Sequence, residues 1–175
     1  IRRDDDSTDC GIAIGFVHYC RMDGNRLRIA TYAKTEEIKK IVSVYALTAC
    51  HNQKRTECMR IIDAITELAT DNNLKIGILG SAGMELVTGL PYTDESSDID
   101  ILLKPAPYNV LRQFYSKVKS LSNQINMDFE LELPNGYGVK LAELFMNTST
   151  VLGKSIKDVD LLNKQEIMQM LEREK

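Results

Sequence analysis

The stretch LGSAGMELVTGLPYTDESSDIDILLKP, residues 79–105, decides the fold. It follows KIGIL, a compact apolar run of strand type, and sets a Gly80-Ser81 bend ahead of a short helical pattern that Gly89 and Pro91 stop. Its last part, DIDILLK, reads as a strand halted by Pro105 and Pro107. Strand side chains alternate, so Asp98 and Asp100 share one face about 7 Å apart while Ile99 and Ile101 face a core. Two carboxylates on such a strand are costly unless something positive neutralises them.

Outward from this centre, residues 54–71 place Cys58, Ile61, Ile62, Ile65, Leu68 and Ala69 on one helical face. Further upstream, GIAIGFVHY and RLRIATY flank an Asp23-Gly24-Asn25 turn signal and predict a β-hairpin. TEEIKKIVSVYAL, residues 35–47, has apolar residues at helical spacing behind Thr35, which predicts a short amphipathic helix. The opening run IRRDDDSTD is expected to be a poorly packed lead-in. Downstream, YNVLRQFYSKVKSLSNQ predicts a helix with Val110, Leu111, Phe114, Val118 and Leu121 inward. MDFELELP alternates strictly: Phe129, Leu131 and Leu133 point one way, Asp128, Glu130 and Glu132 the other. GYGVKLAELF follows a Pro134–Gly136 turn as a hairpin partner, and KQEIMQMLERE closes the chain as a helix.

With 175 residues and 43% hydrophobic content, the chain has length for one domain with a small accessory lobe. The net charge of -3 speaks against gripping nucleic acid through a strongly basic surface. No apolar run reaches the length of a membrane span, so no membrane partner is expected. Cys10, Cys20, Cys50 and Cys58 form no CxxC pair, which predicts free thiols in a reducing cytoplasm rather than a zinc site.

Asp98 and Asp100 can ligate one hard cation, and Mg²⁺ (or Mn²⁺) suits them because it takes one or two carboxylates and fills its octahedron with phosphate oxygens and water. Gly80 lets backbone approach a phosphate, and Ser81 sits where the next helix offers open N–H groups. If the Asp128 strand lies beside the Asp98 strand, Asp128 completes a carboxylate triad with room for a second metal about 3.5–4 Å from the first. Glu130 on the same face is the alternative third ligand. Alternation alone would also leave these acids on a solvated face, with Ser81 no more than a helix cap.

Gly-Ser, a short helix, Asp-apolar-Asp and a later lone carboxylate resemble the nucleotidyltransferase superfamily of polymerase-beta type. More narrowly, Gly80-Ser81, the segment from Leu86 to Tyr92, Ser97 to Asp100, and Asp128, Glu130, Pro134, Gly136, Val139, Glu143 and Leu144 resemble the phosphoribosyl-dephospho-CoA transferases, the holo-acyl-carrier-protein synthases of malonate decarboxylase. Lys154 matches a recurrent lysine of that family. The resemblance implies an α/β (α+β) fold: a mixed sheet flanked by helices forms a polymerase-beta-like nucleotidyltransferase core over 54–175, and a small β-rich lobe spans 1–51. It implies a cytoplasmic enzyme that takes triphosphoribosyl-dephospho-CoA and joins its phosphoribosyl-dephospho-CoA part to a serine of an apo acyl carrier protein, releasing pyrophosphate. Asp98, Asp100 and Asp128 would be the catalytic and metal-holding residues. Gly80, Ser81, Lys154 and Lys140 would bind phosphate. The rivals are another nucleotidyltransferase using ATP, and an inactive binding module of the same fold.

Overall fold

The computed structural model describes residues 11–173; Cys10 and the charged lead-in lie outside them. Two antiparallel strands open the described chain, β1 (Ile12–Met22) and β2 (Asn25–Ala33), and form a two-stranded sheet of their own. Asp23 and Gly24 take positive φ of 51° and 78° at the turn, as a tight Asp-Gly hairpin requires. The helix expected over 35–47 does not form. A 3₁₀ turn at Thr35–Glu37 is followed by irregular chain and a second 3₁₀ segment, Val44–Ala49, whose start Ser43 caps by accepting from the Tyr45 N–H at 3.3 Å. Helical spacing was present, but Ile38, Ile41 and Val42 have no core to enter and stay exposed. Only Leu47 of this stretch is buried in the core.

The remaining elements are α1 (Glu57–Asp71), β3 (Ile76–Ile78), α2 (Gly80–Thr88), β4 (Ile99–Leu103), α3 (Tyr108–Lys119), β5 (Met127–Glu132), β6 (Gly138–Lys140), α4 (Leu141–Leu144), β7 (Thr150–Lys154), β8 (Val159–Asn163) and α5 (Lys164–Glu172). Six strands pair in chain order, β3 to β8, and only β4 and β5 are parallel, joined by the α3 crossover. This is a mixed sheet with helices packed on it, as expected. The KLAELF run turns helical after β6, so the expected hairpin is short. Among the described residues no helix is long and apolar enough to cross a membrane.

Alternation sorts the sheet's two faces. Ile99, Ile101, Leu103, Met127, Phe129 and Leu131 are buried in one apolar cluster with α1, α3 and α5, and Phe114 meets Phe129 edge-on at 6.1 Å. Leu121, expected inward, lies beyond the end of α3 and is exposed. Lys164 opens α5 and buries its ammonium against the Glu143 and Met146 carbonyls near the end of α4, where burial lowers its pKa.

Gly83 shows how tightly α2 sits on the sheet: a Cβ there would stand 2.7 Å from the Ile78 carbonyl oxygen. In an open helix Gly→Ala gains about 1 kcal/mol. Here overpacking against backbone costs roughly 1–3 kcal/mol. Gly83→Ala is therefore expected to destabilise by up to about 2 kcal/mol in urea denaturation, a sign opposite to that of an exposed helical glycine.

Candidate active site

The parallel register pairs Asp100 with Asp128 and Leu102 with Glu130, and the next ladder pairs Glu130 with Lys140. Because the alternate residues of β4 and β5 fill the core, these four polar side chains must share the opposite face. Asp100, Asp128 and Glu130 line a cavity of about 260 Å³ with Leu79 and Ile101. Two features set α2 beside it. The Leu79 N–H donates to the Asp100 carbonyl at 2.9 Å, and Gly80 takes φ of 60° with its Cα against the Asp100 carboxylate. A Cβ at Gly80 would fall 2.1 Å from Asp100 Oδ2, so only glycine fits this bend.

The charge in this cavity is poorly balanced. Burial pushes the Asp100 carboxyl above its ordinary value, and repulsion from Asp128, Asp98 and Glu130 adds to it against the weaker pull of Lys140. Lys140 Nζ donates to Asp128 Oδ2 at 2.8 Å, which raises the lysine's own pKa. Glu132, third acid of the β5 face, is tied elsewhere: Tyr45 Oη donates to it at 2.5 Å and Lys104 Nζ at 2.7 Å. That leaves Glu130 without a hydrogen bond or ion pair among the described residues.

The structure thus brings Asp100, Asp128, Glu130 and Lys140 together. Asp98 stands one residue before β4, exposed, close enough for its charge to act on Asp100 but outside the lining of the cavity. Lys154 lies on the exposed end of β7 and meets Lys140 only around a second small pocket that Glu130 and Glu143 also border. Ser81 is the second residue of α2, whose N-cap, Leu79, supplies no side-chain acceptor, so the first-turn N–H groups stay open. Among the described residues no three His, Cys, Asp or Glu side chains already converge on a metal-sized point. The all-oxygen donor set and the uncompensated repulsion at Asp100 still fit a hard divalent cation that keeps water and phosphate for its other ligands.

Sequence reasoning missed the groups that hold the loop leading into Asp98. Glu85 of α2 is buried, accepts a fork from Arg55 (Nε at 3.2 Å, Nη2 at 2.8 Å), and accepts from the Thr93 N–H at 2.6 Å and hydroxyl at 2.8 Å. Asp94 accepts from Arg21 Nε at 2.7 Å, and Arg26 donates to the Tyr92 carbonyl. Tyr92 Oη donates in turn to the Val17 carbonyl at 2.9 Å. The only signal of this in the sequence was a lone glutamate among the apolar residues of α2.

Cys58 lies just behind the start of β4, its Sγ 3.6 Å from the Asp98 carbonyl. Burial pushes its thiol up to about 12, with Glu85, Asp100, Asp98 and Asp94 adding to the rise. Iodoacetamide at mildly alkaline pH is expected to label exposed Cys20 in the native chain and Cys58 only after denaturation, as peptide mass mapping would show.

The family model described as the phosphoribosyl-dephospho-CoA transferase MdcG C-terminal domain matches residues 46–165. A phosphoribosyl-dephospho-CoA transferase of Pseudomonas fluorescens is 27% identical over 137 residues, covering 78% of this chain and 66% of the relative. Another from Bradyrhizobium diazoefficiens is 22% identical over 160 residues, 90% of this chain and 70% of the relative. A third, from Xanthomonas campestris, is 27% identical over 130 residues, 73% of this chain and 61% of the relative. The chain thus spans about two thirds of the length of the curated relatives it matches. No solved structure matches it.

Proposed function

The chain belongs to the phosphoribosyl-dephospho-CoA transferase family, and from that premise we propose that it is a metal-dependent nucleotidyltransferase of polymerase-beta type. It takes triphosphoribosyl-dephospho-CoA as donor and the apo acyl carrier protein of malonate decarboxylase as acceptor. The carrier serine oxygen attacks the phosphorus next to the ribose, a new P–O bond forms, the bond to pyrophosphate breaks, and the serine proton leaves to a base. The observation that carries this reading is the strained carboxylate group of Asp100, Asp128 and Glu130 placed against the Gly80 bend.

In this reading Asp98 and Asp100 hold Mg²⁺, and Asp128, with Glu130 as its substitute, holds a second ion or receives the serine proton. Bound Mg²⁺ supplies charge neutralisation on the phosphate oxygens and on the pyrophosphate as it leaves. The open N–H groups at Gly80 and Ser81 bind the triphosphate. Lys140, released from Asp128, and Lys154 balance phosphate charge from the β6–β7 side.

Incubating the chain with apo carrier protein, Mg²⁺ and either the triphosphoribosyl precursor or ATP tests the proposal. The carrier is expected to gain the mass of the phosphoribosyl-dephospho-CoA group with the precursor and to stay unmodified with ATP. Modification from ATP alone would make the chain a nucleotidyltransferase of another specificity. No modification from either donor would favour a binding module.

A further inference from the structure

A second cavity of about 490 Å³ lies on the other side of the Gly80 bend, between α2, the Val44–Ala49 segment and the hairpin. That volume is in the range of small-molecule sites. Its walls are largely aliphatic, Val17, Val44, Leu47, Met84 and Val87 among them, and Gly80 and Ser81 form one end. Arg26 and Arg28, two apart on β2, are its charged lining residues, and no acid lines it among the described residues. Arg26 is mostly enclosed. Its Nη2 serves the Tyr92 carbonyl and Asp94, while its buried Nε has no acceptor among the described residues. An unmet buried donor of that kind is costly.

The basic cavity and the acidic one both include Leu79 in their walls, and Gly80, which lines the basic one, packs against the Asp100 carboxylate of the acidic one. A ligand laid across this bend would therefore need phosphate toward the carboxylates, where a cation can bridge, and an anionic group followed by a long uncharged portion with aliphatic segments on the hairpin side. Resting on the function proposed above, we infer that the hairpin cavity is the dephospho-CoA subsite. The ligand's diphosphate lies between the Arg26 and Arg28 side chains that line the cavity, and its pantetheine arm runs over Val17, Met84 and Val87. The hairpin is thereby a specificity element: it reads the part of the donor that ATP lacks.

Calorimetric titration of the chain with dephospho-CoA and with ADP, in the absence of divalent cation, tests this directly. Dephospho-CoA is expected to bind at least tenfold more tightly than ADP. Arg28→Gln and Val87→Trp, at an exposed charge and a half-exposed wall position, are each expected to raise its Kd tenfold or more with unchanged circular dichroism and Tm. Asp100→Asn is expected to bind it no more weakly than the parent chain. Equal affinity for ADP, or unchanged Kd in both cavity variants, would overturn the assignment. If the parent transfers the group to the carrier and Val87→Trp does so with unaltered KM for the precursor, the subsite is wrong and the function stands. If dephospho-CoA binds as described and no transfer occurs, the subsite stands and the function falls.

Discussion

Asp100→Asn is expected to lower kcat for transfer to the carrier by about 10³ or more while leaving the fold intact and raising its stability by roughly 1 kcal/mol. The two effects have opposite sign for one reason. Asp100 is partly buried among Asp98, Asp128 and Glu130, with Gly80 pressed against its Oδ2, so its ionised form is disfavoured in the folded chain without a cation. Asparagine keeps the size and removes the repulsion, which is how strained functional positions gain stability when their charge is lost. It also removes one of the few oxygens able to hold a divalent ion, and a metal's share of transition-state stabilisation is several kcal/mol, or about three decades in rate. Single-turnover kinetics beside urea denaturation of the same sample would read both quantities. Unchanged turnover would remove Asp100 from the chemistry, and lowered stability would mean that the carboxylate is neutralised by something within the fold.

What the sequence disclosed is what short-range periodicity encodes. Alternation in 127–133 separates Phe129 and Leu131 from Asp128 and Glu130, and the parallel register then places Asp128 directly opposite Asp100. Gly89 ends α2 with φ of 70°, as its position after a helical run foretold. What it withheld depends on partners far along the chain. The 35–47 segment carried a helical pattern but no surface for that pattern to cover. The β7–β8 hairpin was not foreseen: its turn rests on Ser155 bonding within residues 155–158, and β8 is an edge strand whose apolar residues Val159 and Leu161 stay exposed. The site divides in the same way. Gly80, Asp98, Asp100 and Asp128 stand in motifs. Lys140 bonded to Asp128, Glu132 tied to Tyr45 and Lys104, and the Arg55–Glu85–Thr93 knot join residues 8 to 87 positions apart, and no local pattern announces such pairs.

Glu85→Ala is expected to cost about 2–3 kcal/mol of stability, a fall of roughly 5–10 °C in Tm for a chain of this length. The exposed ion pair of Glu57 with Arg60 sets the contrast, since losing it should cost no more than about 0.5 kcal/mol. Glu85 differs because its carboxylate is buried and meets four donors from Arg55 and Thr93. Its removal strands those donors in a poorly hydrated place. Arg55 is partly exposed, which holds the loss below the 3–5 kcal/mol of a fully buried pair. Glu85→Gln should fare little better, because its amide would turn a donor toward donors. The pH dependence identifies the cause. Burial alone would raise the Glu85 pKa, but the Arg55 fork and the Thr93 bonds outweigh it and hold the carboxyl below its ordinary value. As pH falls, the unfolded chain therefore takes up this proton first. The stabilisation is complete above the unfolded value of about 4.5 and is lost as pH drops through the lower folded one. Urea midpoints of parent and Glu85→Gln should accordingly differ most at neutral pH and draw together below about pH 4. A gap that stayed constant into acid would mean that shape rather than charge at Glu85 holds residues 89–97. The carrier-modification rate should fall with the same substitution, because that loop sets where Asp98 and β4 begin.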